Sequence, residues 1–169
     1  MNYLKLDIDL LLNNQEDEVI AIAQIKAGTP PVVARLHDIW LQEFKQLLTS
    51  LQHREIYLEY GFLMDYKQII VLTRLPDKEW LINKTLETNA LVKKYSNSKT
   101  EYLTNNIYLE TLFSVWIEDL IYQWKSHDPP YQDDLKSIGF LEKIREGDVK
   151  NLNNLKATQS LQQGQLWVN

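Results

Sequence analysis

The chain contains no cysteine among its 169 residues. That removes disulfides, thiolate nucleophiles and thiolate metal ligands, and it fits a reducing compartment. Glycine and proline are scarce, five of each, so tight backbone approach to a phosphate or a cofactor has few places to occur. No GxGxxG, GxxxxGK[ST] or GxSxG pattern is present, which excludes the usual phosphate loops and the nucleophile elbow. Histidine is limited to His37, His53 and His127, and none pairs with another at metal-ligand spacing. Each reads as a solvated or structurally bonded side chain. No apolar run approaches the roughly 20 residues that span a bilayer. Positive charge is also short, with 18 Lys and Arg against 23 acids and a net charge of -5. That balance disfavours broad electrostatic binding of nucleic acid or an anionic membrane. Met1 is followed by Asn2, Tyr3, Leu4 and Lys5 without the pattern of a signal peptide, so a cytoplasmic protein with no cofactor and no metal is expected.

What is present is a globular composition, 44% hydrophobic and 24% charged, which can bury a core. Leu4, Leu6, Ile8, Leu10 and Leu12 alternate with Lys5, Asp7 and Asp9, the period-2 pattern of a strand with one buried face. After the polar turn Asn13 to Asp17, the β-branched run from Glu18 to Ala27 predicts a second strand and hence an N-terminal hairpin. Gly28 to Pro31 end it. Thr29 followed by proline predicts the start of a helix to Leu51, with Trp40 and Phe44 buried against the sheet. Further strands are predicted near 55–63 and 68–74, joined around Asp65 to Lys67. Asp77 caps an expected helix toward Tyr95, and a short helix is expected over Leu135 to Arg145. Strands before and between helices, without strict βαβ alternation, indicate an α+β fold: a mixed or antiparallel sheet packed against two or three helices. Residues 1–146 read as one domain and 147–169 as a polar C-terminal extension docked on the domain or on a partner, with Leu152, Leu155, Leu161 and Leu166 as its apolar minority.

The acidic pairs are mostly those of solvated turns, but one sits in a suggestive order. Asp7 and Asp9 lie on the polar side of the first strand, and the second carries Gln24 and Lys26, followed by a helix and another strand. This order resembles the core of the PD-(D/E)XK nucleases, in which an acidic strand and an acid-x-Lys strand hold a divalent metal. The resemblance covers the first third of the chain. It implies Asp9 or Asp7 as the metal carboxylate, Gln24 in place of the second acid, and Lys26 as the lysine that orients water. A neutral amide binds a hard cation more weakly than a carboxylate does, which points to a divergent or inactive site. The basic concentration Lys84, Lys93, Lys94 and Lys99, near Tyr95 and Tyr102, can grip single-stranded nucleic acid in principle, yet Glu87 and Glu101 dilute it to an ordinary solvated face.

The segment Tyr108 to Trp124 is apolar around more of a helix than one core uses. Leu109, Leu112, Phe113, Trp116, Ile117, Leu120, Ile121 and Trp124 repeat at three- and four-residue spacing and form a core face. Tyr108, Val115 and Tyr122 recur every seven residues as a separate stripe, which needs its own cover from within the chain, from another protein or from a second copy. Five Trp and nine Tyr exceed what a small core needs and favour an interface. The expectation is therefore a non-catalytic protein-binding, accessory or scaffolding subunit of a larger assembly, possible nucleoprotein included, with Tyr108, Val115 and Tyr122 touching the partner. The alternative is a divergent metal-dependent nuclease-like domain.

Overall fold

The computed structural model describes residues 8–27, 35–77, 79–96 and 105–152. Strands β1 (Leu10–Asn13) and β2 (Val19–Lys26) form the expected hairpin. Its turn is closed by Asn14, whose Oδ1 accepts the Glu18 N–H at 2.9 Å. Helix α1 (Arg35–His53) then crosses over to β3 (Tyr60–Asp65), which lies parallel to β2, since parallel neighbours need a long connection. The antiparallel strands β4 (Gln68–Arg74) and β5 (Trp80–Glu87) complete one side of the sheet. The β3–β4 turn is held by Asp65, whose Oδ1 accepts from the Lys67 and Gln68 N–H groups. Four helices follow: α2 (Thr88–Tyr95), α3 (Asn106–Tyr122), α4 (Gln132–Ser137) and α5 (Phe140–Ile144). The last strand, β6 (Asp148–Asn151), returns to pair with β1. The sheet order is β5-β4-β3-β2-β1-β6, and among the described residues only β2 and β3 pair in parallel, so the fold is α+β with a mixed sheet, as the sequence indicates.

Both faces of the sheet are covered. Phe44, Leu48 and Leu51 of α1 pack on Leu11, Ile22, Leu63, Ile70 and Leu72. On the other face Phe113, Trp116 and Phe140 from α3 and α5 pack on Leu10, Leu12, Ala23, Phe62 and Val71. Phe62 is the centre of this second layer, edge-on to Phe113, Trp116 and Phe140 at 5.5, 6.4 and 5.1 Å. Burying side chains of this size contributes roughly 1.5 to 3 kcal/mol each, so the two layers together dominate the stability of the sheet.

Several expectations change. Leu10, Leu11 and Leu12 are at most 1% exposed, so β1 has two buried faces rather than one, because a helix layer covers each side. Trp40 is only half-buried at the margin of the α1 layer, whereas Phe44 is fully enclosed. The strand expected near 55–63 starts at Tyr60, and Ile56 to Leu58 serve as connection. The helix expected from Asp77 is strand β5 followed by the short α2. Ladder pairing with β4 decides that stretch against its weak local helical pattern. The helix expected over Leu135 to Arg145 is broken at Gly139, whose φ of 79° ends α4 and starts α5. Trp124, expected on the core face of α3, is 54% exposed, because the helix stops at Tyr122 and Gln123 turns left-handed at φ 49°. Thr29 to Pro31, Lys99, Tyr102 and the leucines after Leu152 lie outside the described residues.

Candidate functional site

The parallel pair β2 and β3 gives the sheet one end where two strand carboxyl termini lie side by side, the place where open sheets with parallel strands usually bind ligands. Asp9, Gln24, Lys26 and Asp65 all sit at this end, with Lys26 opposite Asp65 in register. Asp7 lies outside the described residues. Asp9 is 8% exposed, and its Oδ2 accepts the Ile25 N–H at 2.7 Å. Its own N–H donates to Ala23 O at 3.1 Å and its carbonyl accepts from Leu152 N at 2.9 Å. Asp9 therefore stitches β1, β2 and the end of β6 together where the regular ladder stops. Strand alternation places Gln24 and Lys26 on the face of Ile22, toward α1. Gln24 is buried and Lys26 half-buried.

On the opposite face, at the same end, stands a carboxylate that the sequence reading passes over. Glu110 of α3 is 3% exposed. It accepts from Asn106 Nδ2 at 2.7 Å and from Asn151 Nδ2 at 3.2 Å, while Asn106 Oδ1 accepts the Ala27 N–H at 3.3 Å. Its spacing to Phe113 and Ile117 is the signal, since an acid in phase with core residues must be partnered inside the fold. Among the described residues, no three His, Asp or Glu side chains are placed to share a metal ion. A hollow of about 820 Å³, lined by Glu18, Ile20, Glu55, Tyr57 and Glu59 among others, opens at the amino ends of β2 and β3, away from Asp9, Gln24 and Lys26.

A second buried carboxylate on α3, Asp119, anchors the chain beyond the helix. It accepts from Ser126 Oγ at 2.5 Å, Lys125 N and Tyr95 Oη at 2.8 Å each, and Ser126 N at 3.1 Å. Burial opposes its ionisation, but these donors outweigh it and hold the carboxyl below its ordinary range. The same burial, reinforced by the Asp119 charge, pushes the Tyr95 phenol upward and leaves it a donor. The expected partner stripe does not form one open surface. Tyr108 is half-buried against the core and Val115 is half-buried, while Tyr122 is 58% exposed and donates its phenol hydrogen to Gly147 O at 2.7 Å. The lysine concentration is partly matched within the fold, Lys84 pairing with Asp134 at 3.7 Å and Lys94 with Asp128 at 3.5 Å.

No family model, no curated protein and no solved structure matches the chain. Among the described residues, no helix is long and apolar enough to cross a membrane.

Proposed function

We propose that the chain is a non-catalytic protein-binding domain, an accessory or scaffolding part of a larger assembly, in which the nuclease-like end of the sheet serves the fold. The observation that carries this reading is the state of Asp9. Its Oδ2 is committed to the Ile25 N–H at 2.7 Å, and its neighbour on β2 is the buried neutral amide Gln24. A hard divalent cation is held by several oxygens with at least one or two charged carboxylates among them. An acid engaged with the backbone and an amide supply little of that. The second reading, a divergent metal-dependent nuclease-like domain, is favoured by the order β1–β2–α1–β3, in which Asp9 and Lys26 come to the same sheet end beside a parallel crossover.

One assay separates the two. The purified chain is incubated with Mg²⁺ or Mn²⁺ and labelled single- or double-stranded DNA and RNA. The substrate is expected to stay intact. Metal-dependent cleavage that disappears in both Asp9→Asn and Lys26→Ala overturns the binding reading and establishes the second one.

A further inference from the structure

We propose that the end of α3 around Tyr122 is a docking surface for a cationic segment of a partner protein, with an arginine or lysine laid over the Tyr122 ring between the Glu118 and Asp148 carboxylates. This rests on the protein-binding reading above and names the chemistry of the partner. Tyr122 is 58% exposed, yet its ring is not free to swing, because the phenol is tied to Gly147 O at 2.7 Å. A ring already fixed loses little freedom when covered, which is what makes aromatic side chains good anchors. Cations are drawn to exposed aromatic rings.

The rim of this ring is acidic. Glu118 lies one turn earlier on the same side of α3, and Asp148 follows the Gly147 that holds the phenol. Four described acids are ion-paired, Asp17 with Lys150, Glu59 with Lys143, Asp134 with Lys84 and Asp128 with Lys94, and neither Glu118 nor Asp148 is among them. The Glu118 side chain makes no hydrogen bond or ion pair with any described residue, and Arg145 forms no ion pair with either acid. Burial and then repulsion from Asp148 push the Glu118 carboxyl above its ordinary range. That repulsion is a cost to the fold, and a cation placed between the two carboxylates removes it.

The same charges choose the occupant. Phosphate backbones are repelled. A second copy docking by this patch across a two-fold axis would set Glu118 and Asp148 against their own counterparts. A cationic protein segment meets neither obstacle.

The probe is a short acetylated Gly-Arg-Gly-Arg-Gly peptide titrated into the full-length, isotope-labelled chain and followed by amide chemical shifts. Its citrulline counterpart, which lacks the charge, is the control ligand. Shifts are expected to centre on Glu118, Tyr122 and Asp148, and the citrulline peptide is expected not to bind. The Glu118→Gln/Asp148→Asn variant should abolish binding, and Tyr122→Ser should weaken it by about tenfold, as loss of an interface anchor does. A charge-matched Asp38→Asn/Glu43→Gln variant on α1 should bind like the parent. Shifts spread over all acidic surfaces, or binding lost equally in the α1 variant, overturns the proposal. Capture of a cellular partner that survives Glu118→Gln/Asp148→Asn overturns this surface alone, whereas metal-dependent cleavage in the preceding assay overturns the reading beneath it.

Discussion

Glu118 and Asp119 are neighbours on α3 and stand in opposite electrostatic situations. Asp119 points into a ring of four donors and is held below its ordinary 3.8, burial notwithstanding. A depressed folded value means that its stabilising contribution is present above the ordinary carboxylate range and is lost as pH falls through the folded value. Glu118 faces the other way, where burial first and Asp148 second raise it above its ordinary 4.5. A raised value means that the protonated form is favoured in the fold, so this contribution is present below the ordinary value and is lost as pH rises through the raised one. The two amides should therefore behave differently. Asp119→Asn should lower stability at pH 7 by about 2 to 3 kcal/mol, the scale of bonds to a charged group, and the gap should narrow at the lowest pH. Glu118→Gln should raise the melting temperature at pH 7, and that gain should vanish below the ordinary carboxylate range. Thermal melts of both variants across pH check the signs, and a Glu118→Gln protein that melts lower at pH 7 would show that the carboxylate has a stabilising partner.

At the scale of the element, α1 shows how a helix can lie close enough to a sheet to exclude water. Its contact centres on Gly61 of β3, where an added Cβ would come within 2.8 Å of Leu48 Cδ1 and 3.1 Å of Phe44 Cε1. The missing side chain is the space those two residues fill. Phe44, at 0% exposure, should therefore dominate the helix, and Phe44→Ala should cost about 3 to 5 kcal/mol. Trp40, half-buried at the margin, leaves a gap that solvent can refill, so Trp40→Ala should cost no more than about 2 kcal/mol. Urea unfolding of the pair measures the difference, and a larger loss for Trp40 would mean that α1 is rotated from this phase. The strand β5 shows the opposite case, an edge that the fold guards. Its register shifts by one residue against Val71 and Leu72, and Lys84 and the Tyr131–Glu87 hydrogen bonds occupy its far half. Bulges and lysines are the usual means of keeping an edge from pairing with another chain.

Across the whole molecule, the join between the last strand and the first makes the N- and C-terminal parts one sheet. Asn13 opposes Asp148, and just before that pair Gly147 lies so close to β1 that an added Cβ would sit 2.0 Å from Asn13 O and 2.7 Å from Ile144 O. Both contacts are with backbone, which cannot step aside as a side-chain tip can. Gly147→Ala should therefore destabilise the protein by about 1 to 3 kcal/mol, as overpacking does. It should also speed hydrogen exchange of the β1 amides while leaving those of β3 and β4 protected. Uniform loss of protection would mean that the sheet opens as one unit, and unchanged exchange would mean that β6 does not depend on this approach.

The sequence by itself determined the elements whose evidence is local. The β-branched run of β2, the Ile- and Val-rich β4 and the three- and four-residue apolar spacing of α3 each state their own conformation, and Asn105 marks the start of α3 by capping the Tyr108 N–H at 3.3 Å. The mixed α+β class followed from their order. The order also placed Asp9, Gln24 and Lys26 on neighbouring strands, and the structure brings them to one sheet end. Tertiary structure alone decided the rest. Trp80–Glu87 is a strand because β4 offers it a ladder, and the polar run Asp148–Asn151 is a strand because β1 has an open edge. Asp9 is bonded to the backbone because β2 leaves the Ile25 N–H beside it, and Tyr122 alone of its stripe stays open while Tyr108 and Val115 are half-buried. Periodicity records which side of an element is apolar. It carries no record of which backbone group or which charge another part of the chain will bring to the other side.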